Sequence, residues 1–168
     1  MNEIIVFTDG STLNNQEKGN RRGGVGVFFG KDDERNISLS LKESHNFKVT
    51  NQVAELMASI LAIEKILSNQ KLKDKKIVIY TDSIYVKNIV NEWAEKWEKN
   101  NWIKSDKKAV DNIELVKKLY YLSKNVNVEF KHCRSHQKEP NKDDKNYYIW
   151  FGNNEADKLA VSAAQLIT

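Results

Sequence analysis

Two short apolar runs, each followed by an aspartate, constrain the fold of this chain more than any other feature. EIIVFT (3–8) and KIVIYT (76–81) are rich in β-branched and aromatic residues and lead directly into Asp9 and Asp82. Runs of this length and composition are typical of buried β-strands. In open α/β sheets, ligands bind beyond the carboxyl ends of parallel strands. If the two strands are neighbours, both aspartates lie together at that edge.

The rest of the chain predicts further strands and helices. Strands are expected at 25–30, 36–41 and 126–132, and helices at 51–69, from 84 onward, at 110–123, and from a cap at Asn153 or Asn154 to 166. The order β-β-β-α-β-α-α-β-α favours an α/β sheet with parallel pairs and antiparallel opening hairpins. The sequence contains no internal repeat and no linker, so we expect one domain over residues 1–168.

Composition and cysteine content exclude several classes of protein. Hydrophobic residues make up 40% of the 168 residues and charged residues 30%, which excludes a largely disordered or collagen-like chain. Cys133 is the only cysteine, so neither an internal disulfide nor a cysteine-built zinc site can form. The first residues lack a signal-peptide pattern and no apolar stretch could span a membrane. We therefore expect an intracellular protein, in cytoplasm or nucleus, with no membrane partner.

The net charge of +4 permits a polyanionic partner without requiring one. Between positions 93 and 108, five lysines outweigh three acids and are interleaved with Trp93, Trp97 and Trp102. Lysines among aromatic side chains suit a nucleic-acid backbone lying over stacking surfaces. The same pattern is typical of an amphipathic helix whose tryptophans pack inward and whose lysines are solvated. Composition alone leaves both interpretations open.

Four acids have ordinary structural explanations as well as a functional one. Asp9 precedes glycine in a common turn dipeptide, and Asp82 precedes a predicted helix that it can cap. Glu55 and Asp157 fall in the first turn or so of predicted helices, where the helix dipole favours acids. The helical wheel nevertheless places Glu55 on a face of small residues, which indicates the close approach of another element. Asp157 lies among alanines in a similar setting.

A cluster of these four carboxylates would require a cation, because like charges at close range repel one another. Hard oxygen ligands without a histidine pair or cysteines favour Mg²⁺ or Mn²⁺ over zinc. Such a cluster can hold two ions about 3.5–4 Å apart and stabilise both the attacking and the leaving oxygen of a phosphodiester.

Five motifs occur in the order that defines a known family. They are FTDGS with Asn15, TNQVAEL, YTDS, the pair Ser135-His136, and GNNEADKLA. In this combination the chain resembles type 1 ribonuclease H over nearly its whole length. The resemblance implies the ribonuclease H-like α/β fold, a five-stranded mixed sheet flanked by helices, with the first three strands antiparallel and the others parallel. It covers the catalytic domain without the separate amino-terminal hybrid-binding domain of many eukaryotic members.

The resemblance also implies a reaction and its catalytic residues. Members of the family hydrolyse the RNA strand of RNA·DNA hybrids with two Mg²⁺ ions, for which Mn²⁺ can substitute, leaving 3′-hydroxyl and 5′-phosphate ends. One ion activates the attacking water and the other stabilises the leaving oxygen. The metal-binding acids correspond to Asp9, Glu55, Asp82 and Asp157. His136 corresponds to a loop histidine that assists proton transfer or product release.

Three further groups of residues match the family's substrate contacts. The RNA strand is contacted in the minor groove by amides that correspond to Asn15, Asn51 and Gln52. A DNA phosphate is bound by residues that correspond to Lys48, Thr50 and Asn112. The basic protrusion, or handle, corresponds to residues 93–108, with Trp93, Lys96, Trp97, Lys99, Trp102 and Lys104. Glu95 and Glu98 dilute its positive charge, which predicts either reliance on other contacts or weaker binding with a shallow dependence on salt.

The segment 137–151 departs from the family pattern, because it inserts an extended loop where members have a short one. We expect the aromatic residues 147–151 to pack on the body of the protein and residues 138–145 to form a mobile tip.

Two other functions are compatible with the same fold. A nucleic-acid-binding module could keep the fold without the chemistry, and an integrase, transposase or junction resolvase would cut DNA instead. A phosphate-binding loop is not supported, since Gly23-Gly24-Val25-Gly26 lacks the required lysine and hydroxyl residue.

We expect a monomer whose partner is the hybrid duplex. The sequence leaves open whether the source is viral, bacterial or a mobile element.

Overall fold

The computed structural model describes residues 3–13, 19–72 and 74–166. Asn15, one of the three residues predicted to contact the RNA strand, lies outside the described residues.

Five strands form one mixed sheet in the order β3-β2-β1-β4-β5. Their bounds are β1 Glu3–Leu13, β2 Arg22–Phe28, β3 Ile37–Lys42, β4 Lys76–Thr81 and β5 Val128–His132. The first three strands pair antiparallel, while β4 pairs parallel to both β1 and β5. The predicted fold class is therefore confirmed.

Helices connect and cover the strands. They are α1 Asn51–Leu67, a 3₁₀ turn Gln70–Leu72, α2 Ile84–Asn88, a π-helical turn Ile89–Trp93, α3 Ala94–Lys99, α4 Ile113–Lys124 and α5 Tyr147–Gln165. Among the residues described, no helix combines the length and apolar character needed to cross a bilayer.

The two faces of the sheet pack against different helices, because successive side chains of a strand point to opposite faces. Ile4 and Val6 of β1 and Ile79 of β4 lie in one buried core with α1 and α4. Phe7 of β1 and Tyr80 of β4 lie in a second core with residues of α5. Helices therefore cover the sheet on both sides.

The first strand continues past the predicted end, and the interpretation of Asp9-Gly10 as a turn is wrong. Parallel pairing of β1 with β4 ends at Thr8 opposite Thr81. Beyond that point β1 keeps its antiparallel partner, with Asp9 opposite Gly26, and runs to Leu13. A strand that loses one neighbour remains a strand because the other neighbour still supplies its backbone hydrogen bonds.

The last helix begins at Tyr147, so the predicted cap at Asn153 or Asn154 is wrong and the loop after His136 ends at Asn146. Gly152 and the two asparagines have low helix propensity, but tertiary packing overrides it. A Cβ on Gly152 would lie 2.2 Å from the Phe7 ring, so the missing side chain lets the helix lie against β1. Asp157 consequently lies in the middle of α5, where the helix dipole does not explain it.

The aromatic residues of the insertion pack as predicted. Phe151 and Ile149 join the core between the sheet and α5, and the hydroxyls of Tyr80 and Tyr148 lie 3.1 Å apart. The mobility of residues 138–145 stays a prediction.

Candidate active site

Three carboxylates converge at the edge where the parallel strands β1 and β4 stop pairing. Asp9 and Asp82 are the residues that follow the last paired position on each strand, Thr8 and Thr81. Glu55 comes from the second turn of α1. Each of the three acids offers a carboxylate oxygen within 4.8 Å of those of the others. Topology thus places together residues that are 73 positions apart in the sequence.

A glycine in β1 brings Glu55 to the two aspartates. A Cβ on Gly10 would lie 2.6 Å from the carbonyl carbon of Ala54 and 2.7 Å from the backbone nitrogen of Glu55. Any side chain at position 10 would therefore push the start of α1 away from the strand. The small residue lets α1 rest directly on β1, as the small-residue face around Glu55 predicts.

Asp157 reaches the same edge from the opposite face of the sheet. Gly26 of β2 pairs with Asp9 of β1. A Cβ added to Gly26 would lie only 2.1 Å from the carbonyl oxygen of Ala156 in α5. The close approach of α5 at this point places Asp157 beside Asp9, whose pKa it raises. Asp157 also lines a small pocket with Asp82.

Burial and mutual repulsion shift the protonation of the cluster. Burial, followed by the charge of Asp82 and the interaction with Asp157, raises the pKa of Asp9 to about 9. Burial, followed by the charges of Asp9 and Asp82, raises the pKa of Glu55 well above its usual value. In the metal-free protein Asp9 therefore retains its proton at neutral pH. Shifts of this origin in a cleft are typical of functional sites.

The cluster fits a divalent cation by the chemistry of its oxygen atoms. Oε1 of Glu55 and Oδ1 of Asp82 are fully buried, and neither has a hydrogen-bond partner among the described residues. A buried carboxylate oxygen without a donor is costly unless a proton or a cation compensates it. The donor set consists of oxygen atoms alone, which is the set that hard divalent ions prefer.

His136 faces the same pocket from the loop after β5. The pocket is lined by Asp82, Asp157 and His136, together with Ser135, Gln137, Trp150 and two asparagines of α5. The His136 side chain is exposed, and its backbone adopts the left-handed conformation with φ of 55°. The structure therefore brings all five predicted catalytic residues to one edge of the sheet.

Comparison with known proteins agrees with this arrangement. The family model described as RNase H matches residues 1–165 of the chain. The chain belongs to the type 1 ribonuclease H family. The family predicted from the sequence motifs is thereby confirmed.

Relatives in this family cover the chain to different extents. Ribonuclease H from Schizosaccharomyces pombe is 35% identical over 156 residues, which is 93% of this chain and 51% of that protein. Ribonuclease H from Chlorobium phaeobacteroides is 35% identical over 163 residues, 96% of this chain and 94% of that protein. The chain thus spans about half the length of the yeast and mammalian relatives and nearly all of the bacterial one.

A solved structure shows the same fold at low sequence identity. Foamy viral protease-reverse transcriptase in complex with RNA/DNA hybrid matches with a TM-score of 0.75 and 23% identity. The match covers 97% of this chain and 20% of that chain.

The ribonuclease H family also implies a divalent metal, which agrees with the oxygen donors at Asp9, Glu55 and Asp82.

Two of the three residues predicted to contact the RNA strand, Asn51 and Gln52, lie at the start of α1 beside a residue that the sequence did not single out. Thr50, Asn51 and Gln52 line one groove together with Arg21. Arg21 forms an ion pair with Glu43. The buried carboxylate of Glu43 lies 3.4 Å from Nε of Arg21. No local pattern around Arg21 signalled this position, since the groove forms only when the segment before β2 meets α1.

Two of the three residues predicted to bind a DNA phosphate lie around a second groove, and the third, Thr50, lines the first groove. Lys48 and Asn112 line it, between the segment before α1 and the start of α4. Asn112 adopts φ of 55°, a left-handed conformation that asparagine tolerates better than most residues. The hydroxyl of Thr50 accepts a hydrogen bond from the backbone N–H of Val53, so Thr50 is also the N-cap of α1.

The tryptophans of the handle pack inward. Trp102 is buried against Tyr120, and Trp93 and Trp97 pack on the same core. The packing interpretation therefore holds for Trp102, which is not available for stacking. Acids pair with three of the handle lysines: Lys96 with Glu92, Lys99 with Glu95 and Lys104 with Asp111, at 3.1, 3.4 and 3.4 Å.

Proposed function

We propose that this chain is a metal-dependent endoribonuclease that hydrolyses the RNA strand of RNA·DNA hybrids and leaves 3′-hydroxyl and 5′-phosphate ends. The observation that carries this proposal is the convergence of Asp9, Glu55 and Asp82, with two buried carboxylate oxygens that lack donors. Membership of the ribonuclease H family supplies the reaction class. A relative of the same fold was solved in complex with RNA/DNA hybrid, which supports the choice of substrate.

The chain's own residues have distinct roles in this proposal. Asp9, Glu55, Asp82 and Asp157 would hold two Mg²⁺ ions, for which Mn²⁺ can substitute. When bound, the ions supply activation of water and stabilisation of the leaving 3′-oxygen. His136 lies in the pocket beside Asp82 and Asp157, where an exposed imidazole can transfer a proton or assist product release.

The two grooves at the start of α1 suit a hybrid of two different strands. Asn51 and Gln52 carry exposed amides, which can both donate to and accept from ribose hydroxyls and base edges. Lys48 and Asn112 lie around the neighbouring groove and offer a charge and an amide to a phosphate. Thr50 lies between the two groups, so the α1 N-terminus can contact both strands at once.

The raised pKa values predict how metal and pH affect stability. A carboxyl whose folded pKa lies near 9, against 3.8 when unfolded, stabilises the fold at low pH and loses that contribution as pH rises through 9. In chelator, the thermal midpoint should therefore be lower at pH 9 than at pH 6. Added Mg²⁺ should raise the midpoint more at pH 9, since protons compete with the ion at pH 6. A larger Mg²⁺ effect at pH 6 would contradict this prediction.

The paired lysines of the handle predict a weak contribution to binding. Because Lys96 and Lys99 already face acids, replacing both with alanine should change the slope of log Kd against log salt by less than about 1. Lys48, which is exposed and has no acid within ion-pairing distance among the described residues, serves as the comparison. Its replacement with alanine should lower the slope by about 1. A slope change near 2 in the handle variant would show that the lysines contact phosphates directly.

Cleavage of a labelled RNA·DNA hybrid with Mg²⁺ or Mn²⁺ tests the proposed function. Single-stranded RNA, duplex RNA and duplex DNA are assayed in parallel, and chelator serves as the blank. We expect metal-dependent cutting of the hybrid's RNA strand only. Cutting of duplex DNA would favour an integrase- or resolvase-like function. Binding of the hybrid without cutting would favour a nucleic-acid-binding module.

A further inference from the structure

Two side chains of α5 hold the loop that carries His136. Nε1 of Trp150 donates a hydrogen bond to the carbonyl oxygen of Gln137 at 2.9 Å. Nδ2 of Asn153 donates to the carbonyl oxygen of Arg134 at 3.3 Å. One bond lies on each side of His136, so the backbone that carries the imidazole is fixed at two points.

Both of these side chains lie on the face of α5 that carries Asp157. Positions 150, 153 and 157 are separated by three and four residues, the spacing of one helical face. The same pocket is lined by Trp150, Asn153, Asp157 and His136. A single helix therefore sets the position of the histidine relative to one of the four acids.

The conformation of His136 requires such support. The left-handed backbone of His136 is less favourable than the right-handed one for a residue with a side chain, so contacts that hold the loop stabilise it. Trp150 is itself held in place, since its ring lies 5.6 Å from that of Tyr147 at an interplanar angle of 41°. Tyr147 and Trp150 belong to the first turns of α5, a part of the helix that lies within the loop predicted from the sequence over residues 137–151.

We propose that Trp150 is a positioning residue for catalysis, acting through its hydrogen bond to the loop so that His136 faces the acid cluster. This inference rests on the proposed function. It explains why α5 begins as early as Tyr147: the first turns of this helix carry Trp150, whose indole N–H holds the loop that contains His136. The indole donor is the group that matters, while the ring itself packs beside Tyr147.

The test compares two conservative variants of α5. Trp150→Phe removes the donor and retains an aromatic ring. Tyr148→Phe is the matched control, because it removes a hydroxyl that lies 3.1 Å from the hydroxyl of Tyr80 and that forms no hydrogen bond with residues 134–137 in the described part of the chain. Each substitution is measured for hybrid cleavage in the wild-type chain and in a chain that also carries His136→Ala. Hydrogen exchange of residues 134–138 is followed in the same proteins.

Trp150→Phe is expected to lower kcat about fivefold, the effect of one neutral hydrogen bond, with KM unchanged. In the His136→Ala background it should have no further effect, because the residue acts through the histidine. Exchange in 134–138 should accelerate while the sheet stays protected. Tyr148→Phe should change neither kcat nor exchange in the loop.

An equal loss of kcat with and without His136 would overturn the inference, since it would indicate a general structural role. So would a Trp150→Phe variant that cuts as fast as the wild-type chain. A wild-type chain that cuts no hybrid would instead be a failure of the proposed function. The two failures are thus distinguishable.

Discussion

Asp9→Asn is expected to reduce hybrid cleavage by at least about a thousandfold while making the metal-free protein more stable. The loss of activity follows from removing a charged ligand at the centre of the cluster, where metal ions contribute several kcal/mol to the transition state. The gain in stability follows from burial: Asp9 is 3% exposed and its pKa is raised to about 9. At pH 8 the carboxyl of Asp9 must take up a proton when the metal-free chain folds, and a neutral amide of nearly the same shape removes that cost.

Two measurements check this expectation. Single-turnover cleavage with Mg²⁺ reports the activity, and the thermal midpoint in chelator at pH 8 reports the stability, which should rise by a few degrees, or about 1–2 kcal/mol. Glu43→Gln provides the comparison, because the carboxylate of Glu43 is also buried but accepts hydrogen bonds from the backbone N–H groups of Gly19, Arg21 and Val49. That variant should lose stability. If Asp9→Asn is also destabilising, the cluster is not under electrostatic strain.

Gly26→Ala is expected to have the largest effect on folding among the substitutions considered. The new methyl group would lie 2.1 Å from the carbonyl oxygen of Ala156, and a backbone atom in the middle of a helix cannot move aside alone. Overpacking of this kind costs about 3 kcal/mol, which lowers the thermal midpoint of a chain this size by about 6–12 °C. Because Asp157 follows Ala156, a displaced α5 should also reduce cleavage at temperatures where the variant is folded.

Gly30→Ala is the matched control for this effect. The nearest atom to its added methyl group is Oδ2 of Asp33 at 4.0 Å, which is an ordinary contact. The control should keep both its midpoint and its activity, with at most a small gain from the less flexible unfolded chain. Equal midpoints for the two variants would show that α5 can shift away from β2 without cost.

Local patterns in the sequence were sufficient for most elements of the fold. The runs before Asp9 and Asp82 become β1 and β4, and the helical spacing of apolar residues after Thr50 becomes α1. The pattern of apolar residues along a strand or helix shows directly which side of that element faces the core. Such elements can therefore be predicted without knowing which other element packs against them. The motif order then identified the family.

Element ends that depend on a distant partner could not be read in this way. The extension of β1 beyond Asp9 depends on pairing with β2. The start of α5 at Tyr147 depends on packing of its first turns on the sheet, which outweighs the low helix propensity of Gly152 and Asn153. Propensity and capping signals describe neighbours along the chain, and here contacts through space are stronger.

The sequence by itself determined which residues could carry the chemistry: carboxylates after two buried strands and on two helices, in the order typical of the ribonuclease H family. Only the tertiary structure decided that Asp9, Glu55 and Asp82 meet within 4.8 Å, and that Arg21 and Trp150 lie beside the predicted residues. The physical reason is close approach. Gly10 and Gly26 allow the backbones of α1 and α5 to lie directly against the strands. The sequence of one strand contains no information about which backbone packs against it.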